Sequence, residues 1–382
     1  VAINGMRPAV PAQAAVQVGD GQRGLNIQTL YVQANIIYDH PTAVGTGEPQ
    51  SSYNYLAGLG HKLIRLNINW DYLQPNLDTG NRTFHSAYWA AVKSEVSKIR
   101  TAGMRTVLDL HNGCEWKKPK TSTTLLCGAG LTTTDTTDVW RKLSTEFKND
   151  TSVVAYDLFN EPVRFNHPTR PEVRKPDYQP YSTYKTHVNA VVAAIRANSD
   201  NKTIWVESLC CHWSQDLPDT DPGGGWVVDP QNKIVYSLHM YPVGDSTAGE
   251  TYNPAKEDPN YEQPPGNFWA DYGYDRGFLG RLDRFGRWCV DRGVRCSIGE
   301  VGWYGYGQSA TSAAQWNELG DIWYYKANFY GLDVTYFGAS SAYHEGLTAY
   351  DAPGPDTWLP AAGISRKQAQ ATILEKPEHR SR

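Results

Sequence analysis

Two glutamates stand out by what surrounds them. Glu161 falls at the end of Val154-Ala-Tyr-Asp-Leu-Phe-Asn-Glu-Pro162, and Glu300 lies within Arg295-Cys-Ser-Ile-Gly-Glu-Val-Gly-Trp303. In each, an apolar, strand-forming run gives way to a carboxylate, as when a buried strand delivers an acid to its C-terminal rim. One such glutamate alone reads as half of an ion pair. Two on the same sheet can do more: a carboxylic acid protonates a departing oxygen while a carboxylate attacks the carbon it leaves. That is hydrolysis of a β-glycoside. Retention of configuration needs the carboxyl groups roughly 5–5.5 Å apart, and inversion a wider gap that admits water. The retaining cycle also requires Glu161 to start protonated and Glu300 to start ionised.

Other polar side chains suit the same reaction. Arg65, in Leu63-Ile-Arg-Leu-Asn-Ile-Asn-Trp70, would favour an ionised Glu300 if both point inward. Asn160 immediately precedes Glu161 and is placed to bind a sugar 2-hydroxyl. His111 and Asn112 follow Thr106-Val-Leu-Asp-Leu, and His239 and Tyr241 occur in His239-Met-Tyr-Pro242. Imidazole and phenol give directional hydrogen bonds, so Tyr241 is expected to hold Glu300 and His239 to contact sugar near Glu161. Each of these residues has a purely structural alternative, in a salt bridge, a turn or the core. The histidines and carboxylates are also metal-ligand types, but no close ligand spacing joins them, and no metal is expected. Trp70, Trp116, Trp213, Trp226 and Trp303 fall at or beyond strand ends, where rings can either stack on sugars or fill the core. Trp303, just after Glu300, is the leading stacking candidate.

Such residues need a scaffold. Strand-like runs at 23–27, 63–69, 105–111, 153–159, 203–207, 234–239, 295–300 and 332–337 alternate with amphipathic segments. Helices are expected over 90–102, 137–147, 183–197, 276–292 and 311–328; in the first, Val92, Val96 and Ile99 recur on one face. Eight strands with intervening helices imply an α/β fold, a closed (β/α)8 barrel with its site at the C-terminal strand ends. Extended loops at 112–136, 210–232 and 242–275 would wall a cleft there. The segment from 365 onward is expected to pack outside the barrel or fray. No repeat or linker calls for a second domain, so residues 1–382 read as one catalytic domain with peripheral termini.

Composition narrows the partners. The 382 residues are 40% hydrophobic, with 24 Tyr and 13 Trp, and the formal net charge is -4. That balance gives no electrostatic reason to expect nucleic acid, and no apolar run is long enough to cross a bilayer. The short Gly223–Gly225 run lacks the strand-loop-helix setting of a phosphate loop. Among the six cysteines, Cys114/Cys127 and Cys289/Cys296 could close local loops, while Cys210 and Cys211 are adjacent and ambiguous. An oxidised, secreted monomer is the expectation. Acceptor sequons begin at Asn81, Asn149 and Asn201.

These marks together give the sequence a resemblance to glycoside hydrolase family 5. Ile64-Arg-Leu, His111-Asn112, Asn160-Glu161-Pro162, His239-Met-Tyr241 and Gly299-Glu300 carry it, over roughly Gly24 to Ala339. The resemblance implies a TIM barrel and a retaining reaction through a covalent intermediate, with no organic cofactor. It implies Glu161 as acid/base, Glu300 as nucleophile, and Arg65, His111, Asn160, His239 and Tyr241 as the supporting set. One departure matters. Family members commonly carry a tryptophan near the end of strand eight, but this chain has Val334-Thr-Tyr-Phe-Gly-Ala-Ser340. Phe337, or else Tyr336, would supply the ring, and a phenyl lacks the indole N–H. The expected activity is endo-hydrolysis of a β-1,4-glucan. The alternatives are a β-mannanase, a disaccharide-releasing β-glycosidase, or a noncatalytic carbohydrate-binding barrel.

Overall fold

Side chains two apart along the central strands share a face, and here both faces are buried. The computed structural model describes residues 17–42, 46–169, 174–209, 217–242, 252, 277–353 and 362–381. Its eight barrel strands are β1 (Arg23–Ile27), β2 (Leu63–Ile68), β3 (Arg105–Leu110), β4 (Val153–Asp157), β5 (Thr203–Glu207), β6 (Ile234–Met240), β7 (Arg295–Val301) and β8 (Asp333–Ser340). Each pairs in parallel with the next, and β8 returns to β1, closing the sheet. The eight expected strands are all present, with ends shifted by up to three residues.

The long helices are α1 (Gln50–Gly58), α2 (Ser86–Thr101), α3 (Thr133–Phe147), α4 (Tyr181–Ala197), α5 (Phe278–Arg292) and α6 (Ala310–Tyr330). The sequence reading does not include α1, whose nine residues bury only Tyr53 and Leu56 as apolar side chains. A capping box between Thr132 and Asp135 starts α3 four residues earlier than expected. Short helical turns, Leu217–Thr220 and Ala371–Leu374, take the helix places after β5 and β8.

Alternation sorts the barrel side chains. Ile64, Leu66, Leu108, Tyr156, Ile204, Val206, Leu238, Ile298 and Val334 face the helices in the main core. Inside the barrel, Leu63, Val107, Ala155, Trp205 and Val235 form a separate apolar layer. Two residues further along those strands come Arg65, Asp109, Asp157, Glu207 and Ser237, all buried. The interior is therefore an apolar plug with a charged layer above it, at the expected site end of the barrel.

Among the described residues, two disulfides, Cys114–Cys127 and Cys289–Cys296, join the pairs that the sequence placed close together. The 112–136 loop contains the short strands Glu115–Lys117, Thr124–Cys127 and Gly130–Leu131. Cys210, Cys211, Trp213 and most of the 242–275 loop lie outside the described residues. The C-terminal segment packs on the barrel: Arg366–Lys367 pairs with Tyr350–Asp351, and Ser381 Oγ accepts the Arg23 N–H at 2.8 Å. Among the described residues, no helix is long and apolar enough to cross a membrane.

Candidate active site

Strand alternation alone would turn Glu300 away from the barrel interior, since it lies three residues from the inward Ser297. A register shift corrects this. Leu238 pairs with Ile298 but His239 pairs with Glu300, so Gly299 is an extra residue in β7. A Cβ on Gly299 would come within 2.8 Å of Ser237 Oγ and 2.9 Å of His239 Nε2, so only glycine fits. The Gly299 carbonyl accepts Asn26 Nδ2 at 2.9 Å and the Thr335 hydroxyl at 2.5 Å. The bulge thus sets Glu300 beside His239.

Glu161 reaches the same place by a turn rather than a bulge. Its backbone has φ 49°, the left-handed region that non-glycine residues rarely adopt. Its N–H donates to Glu207 Oε2 at 2.7 Å. Gly113 lies against it, and a Cβ there would stand 2.7 Å from the Glu161 carbonyl oxygen.

Arg65 organises the floor. Its guanidinium contacts Asp157 at 2.9 Å, Asp109 at 3.0 Å, and Glu207 and Glu300 at 2.8 Å each, and all four acids are buried. It also donates to Asn26 Oδ1 at 2.8 Å and Asn160 Oδ1 at 2.9 Å. A guanidinium has five N–H donors in a fixed fork, so such a ring of acceptors fixes their mutual geometry.

Glu300 Oε2 accepts the Tyr241 hydroxyl at 2.6 Å, while Oε1 rests on Arg65. His239 Nδ1 lies 2.8 Å from Glu161 Oε1 and 3.4 Å from Glu300 Oε2, and its Nε2 lies 3.0 Å from Glu207 Oε1. With acceptors at both ring nitrogens, the imidazolium is favoured. Burial opposes that charge, but Glu207, Glu300 and the hydrogen bonds to Glu161 and Glu207 carry the His239 pKa well above its ordinary value.

The two glutamates respond in opposite directions. Burial works to raise Glu161, but the His239 hydrogen bond and the charges of His239, His111 and Arg65 hold it below the usual carboxylate range. Burial raises Glu300, Glu161 adds to that, and His239, Arg65 and His111 only partly offset it. The direction at Glu161 runs against the expected starting division, with the proton on Glu161, and its cause is the imidazole that the carboxylate meets.

Glu161, His239 and Glu300 offer three ligand atoms that lie within 4.8 Å of one another, and so do Asp109, Asp157 and Glu207. The Arg65 guanidinium already contacts each of the second set, and both nitrogens of His239 face acceptors. These donor sets suit proton handling better than metal ligation.

The other sequence candidates divide. His111 Nδ1 lies 2.7 Å from Asp109 Oδ2, and the ring meets Tyr31 edge-on at 4.8 Å. Asn112 is a brace: its Oδ1 accepts the Trp70 N–H at 2.8 Å and its Nδ2 donates to Asp71 at 3.0 Å. Phe337 is half-buried and meets Tyr241 edge-on at 6.2 Å. Tyr336 faces the opposite way, with its hydroxyl on the Leu347 carbonyl at 2.8 Å, so Phe337 is the ring at the mouth. Trp303 is a correction. It is buried against α6, where Gly320 leaves it room, and its Nε1 donates to Asn317 Oδ1 at 2.9 Å. Trp70 and Trp116 are also core residues, and Trp226 packs among Tyr181, Tyr184 and Tyr236.

Glu207 and Tyr31 were missed. Glu207 carries the signal that marked the other two acids, since Thr203-Ile-Trp-Val-Glu207 also runs from apolar strand to carboxylate. Tyr31 lies in the short helical segment after β1, with no sequence pattern to single it out. Burial and the nearby charges of Asp71, Asp109, Glu115 and Glu161 push its phenol up to about 12.

Known proteins resemble this arrangement at low identity. A probable endo-beta-1,4-glucanase B of Neosartorya fischeri is 24% identical over 197 residues, covering 52% of this chain and 52% of its own length. The chain thus spans about half the length of the curated relatives it matches. Among solved structures, the endo-beta-1,4-glucanase Xac0029 of Xanthomonas axonopodis pv. citri superposes with TM-score 0.65 at 19% identity, over 94% of this chain and 98% of that one. The Pseudomonas stutzeri endoglucanase Cel5A, in complex with cellobiose, gives 0.62 at 18%, over 96% of each. These structural likenesses establish the shared barrel. The family model for Cellulase (glycosyl hydrolase family 5) matches residues 35–342, most of the sequence, and the chain belongs to that family.

Proposed function

We propose that this protein is a retaining β-glycoside hydrolase that cuts within β-1,4-glucan chains, with Glu300 as nucleophile and Glu161 as acid/base. The observation that carries the reading is the approach of the two carboxylates, an oxygen of each lying within 4.8 Å of the other at the barrel mouth. An approach that close is nearer to the roughly 5–5.5 Å carboxyl separation of retaining enzymes than to the wider gap that inversion needs.

In the first step a Glu300 oxygen bonds to the anomeric carbon. The glycosidic C–O bond breaks, its electron pair goes to the leaving oxygen, and Glu161 supplies the proton. Glu161 obtains that proton from His239 across their 2.8 Å hydrogen bond, so the acid forms without any change in the site's proton count. Loss of the imidazolium charge leaves Arg65 and Tyr241 as the donors that keep Glu300 ionised. In the second step Glu161 takes a proton from water, the water oxygen attacks the anomeric carbon, and the bond to Glu300 breaks. Side-chain exposure suits the two roles: Glu161, at 28%, is open to leaving group and water, whereas Glu300 is 4% exposed. Asn160, held by Arg65 through Oδ1, is proposed to offer its Nδ2 to the sugar 2-hydroxyl.

The endo-glucanase reading draws support from the names of the relatives, and secretion from the two disulfides. The test is a time course on carboxymethyl cellulose and cellopentaose, followed by viscosity, product mass and the anomeric proton signals. Early loss of viscosity with β-anomers formed first supports the proposal. Initial α-anomers would refute retention, and stepwise release of one small product would refute endo action.

A further inference from the structure

We propose that Gln28 is a substrate-binding residue whose side-chain amide hydrogen-bonds a hydroxyl of the sugar that stacks on Phe337. The inference rests on the glycosidase reading and goes beyond it by naming a contact from β1.

The placement follows from the strand. Asn26 points into the barrel, with its Oδ1 on Arg65 and its Nδ2 on the Gly299 carbonyl. Gln28, two residues on, falls on the same face at the C-terminal rim. Its Nε2 lies 3.4 Å from where a Cβ on Gly338 would stand, so the amide is packed beside the residue that follows the Phe337 ring. Gln28 is only 8% exposed. Its backbone carbonyl accepts the Val32 N–H, but among the described residues its side-chain amide has no hydrogen-bond partner. The amide atoms are not fully enclosed, and a ligand hydroxyl that displaces their remaining water can take up their unused hydrogen-bonding capacity.

The amide is also held in place relative to the ring. Next to Gln28, the Thr29 hydroxyl is bonded to the buried Glu48 carboxylate and lies 2.7 Å from Ser340 Oγ. Glu48 also accepts the Ser341 N–H at 2.7 Å and the Ser52 hydroxyl at 2.6 Å. One carboxylate thus pins the end of β1 to the end of β8, holding Gln28 beside Gly338, the residue after Phe337, before any sugar arrives. A phenyl ring has no N–H of its own. The Gln28 amide supplies a donor and an acceptor on that side of the cleft.

Gln28→Met tests this, because it keeps the length and apolar stem while removing the amide. On cellopentaose, kcat/KM should fall about tenfold, with the melting temperature held within a few degrees. On a panel of monodeoxy aryl cellobiosides, one deoxy position should penalise the wild type and not Gln28→Met, identifying the bonded hydroxyl. Equal penalties in both proteins, or an unchanged kcat/KM, would overturn the assignment. If Gln28→Met fails to fold, Gln28→Asn is read on the same panel: the deoxy penalty shrinks if the amide makes the contact and persists undiminished if it does not. Wild-type protein inert on all these substrates would instead overturn the underlying glycosidase reading.

Discussion

The Glu207 carboxylate holds the Glu161 backbone: its Oε2 accepts the Glu161 N–H at 2.7 Å, at a residue whose φ is 49°. Its Oε1 meets both Arg65, at 2.8 Å, and His239, at 3.0 Å. One buried side chain therefore fixes the turn that presents Glu161 and the imidazole beside it. Removing it as Glu207→Ala should destabilise the fold by about 3–5 kcal/mol, because two buried cations and an N–H lose their partner. Urea unfolding measures this. Glu207→Gln should retain more stability but still lower kcat by about tenfold or more, since it cannot present two anionic oxygens. Unchanged stability in the alanine variant would contradict the bracing role.

Glu161 as acid makes a prediction that depends on the leaving group. Glu161→Ala should lose about 10²–10⁴-fold in glycosylation of a cello-oligosaccharide, whose departing oxygen needs a proton. With a 2,4-dinitrophenyl cellobioside that loss should nearly disappear in the first step. Azide should then speed the second step and leave a β-glycosyl azide. Equal losses on both substrates in pre-steady-state bursts would remove Glu161 from this role.

At the opposite end of the barrel, Asp333 provides a pH test unconnected to turnover. Burial raises its carboxyl to about 6 from the ordinary 3.8, even though its Oδ1 accepts the N–H groups of Asp20 and Gln22. The folded state thus binds more protons than the unfolded state between pH 4 and 6. This contribution to stability is complete below the unfolded pKa and is lost as pH rises through the folded one. Across that window the wild type should lose about 2–3 kcal/mol through this group. Asp333→Asn should show a flatter dependence in urea titrations at pH 4 and 7. An identical slope in both proteins would contradict the raised pKa.

The disulfides should differ in what they protect. Cys114–Cys127 closes a loop next to Gly113, which packs against the Glu161 carbonyl, while Cys289–Cys296 joins the end of α5 to the start of β7, away from the mouth. Replacing both cysteines of either pair with alanine should cost about 2–4 kcal/mol. Loss of Cys114–Cys127 should in addition raise KM several-fold, whereas loss of Cys289–Cys296 should leave KM unchanged. Kinetics at a temperature where both variants stay folded separates the two effects.

The sequence made the strands legible because buried parallel strands are nearly continuous apolar runs, and the acids that end them interrupt those runs. Glu161 and Glu300 were found that way, and Glu207 carries the same mark. Strand phase was harder to read. Glu300 points inward only because Gly299 adds a residue to β7, and a bulge has no signature in hydrophobic periodicity. Trp303 misled for a related reason. It is close to Glu300 along the chain, but the strand has ended and its ring turns into the core against Gly320. The directions in which the carboxyl groups shift were also hidden, because they depend on His239 meeting three carboxylates brought from β4, β5 and β7.

Trapping the covalent intermediate tests the central claim most directly. The protein is incubated with 2,4-dinitrophenyl 2-deoxy-2-fluoro-β-cellobioside, digested, and its peptides sequenced by mass spectrometry. A single 2-fluorocellobiosyl adduct on Glu300, absent in Glu300→Gln, is the predicted result. An adduct on another residue, or full activity on cellopentaose in a folded Glu300→Gln protein, would contradict it.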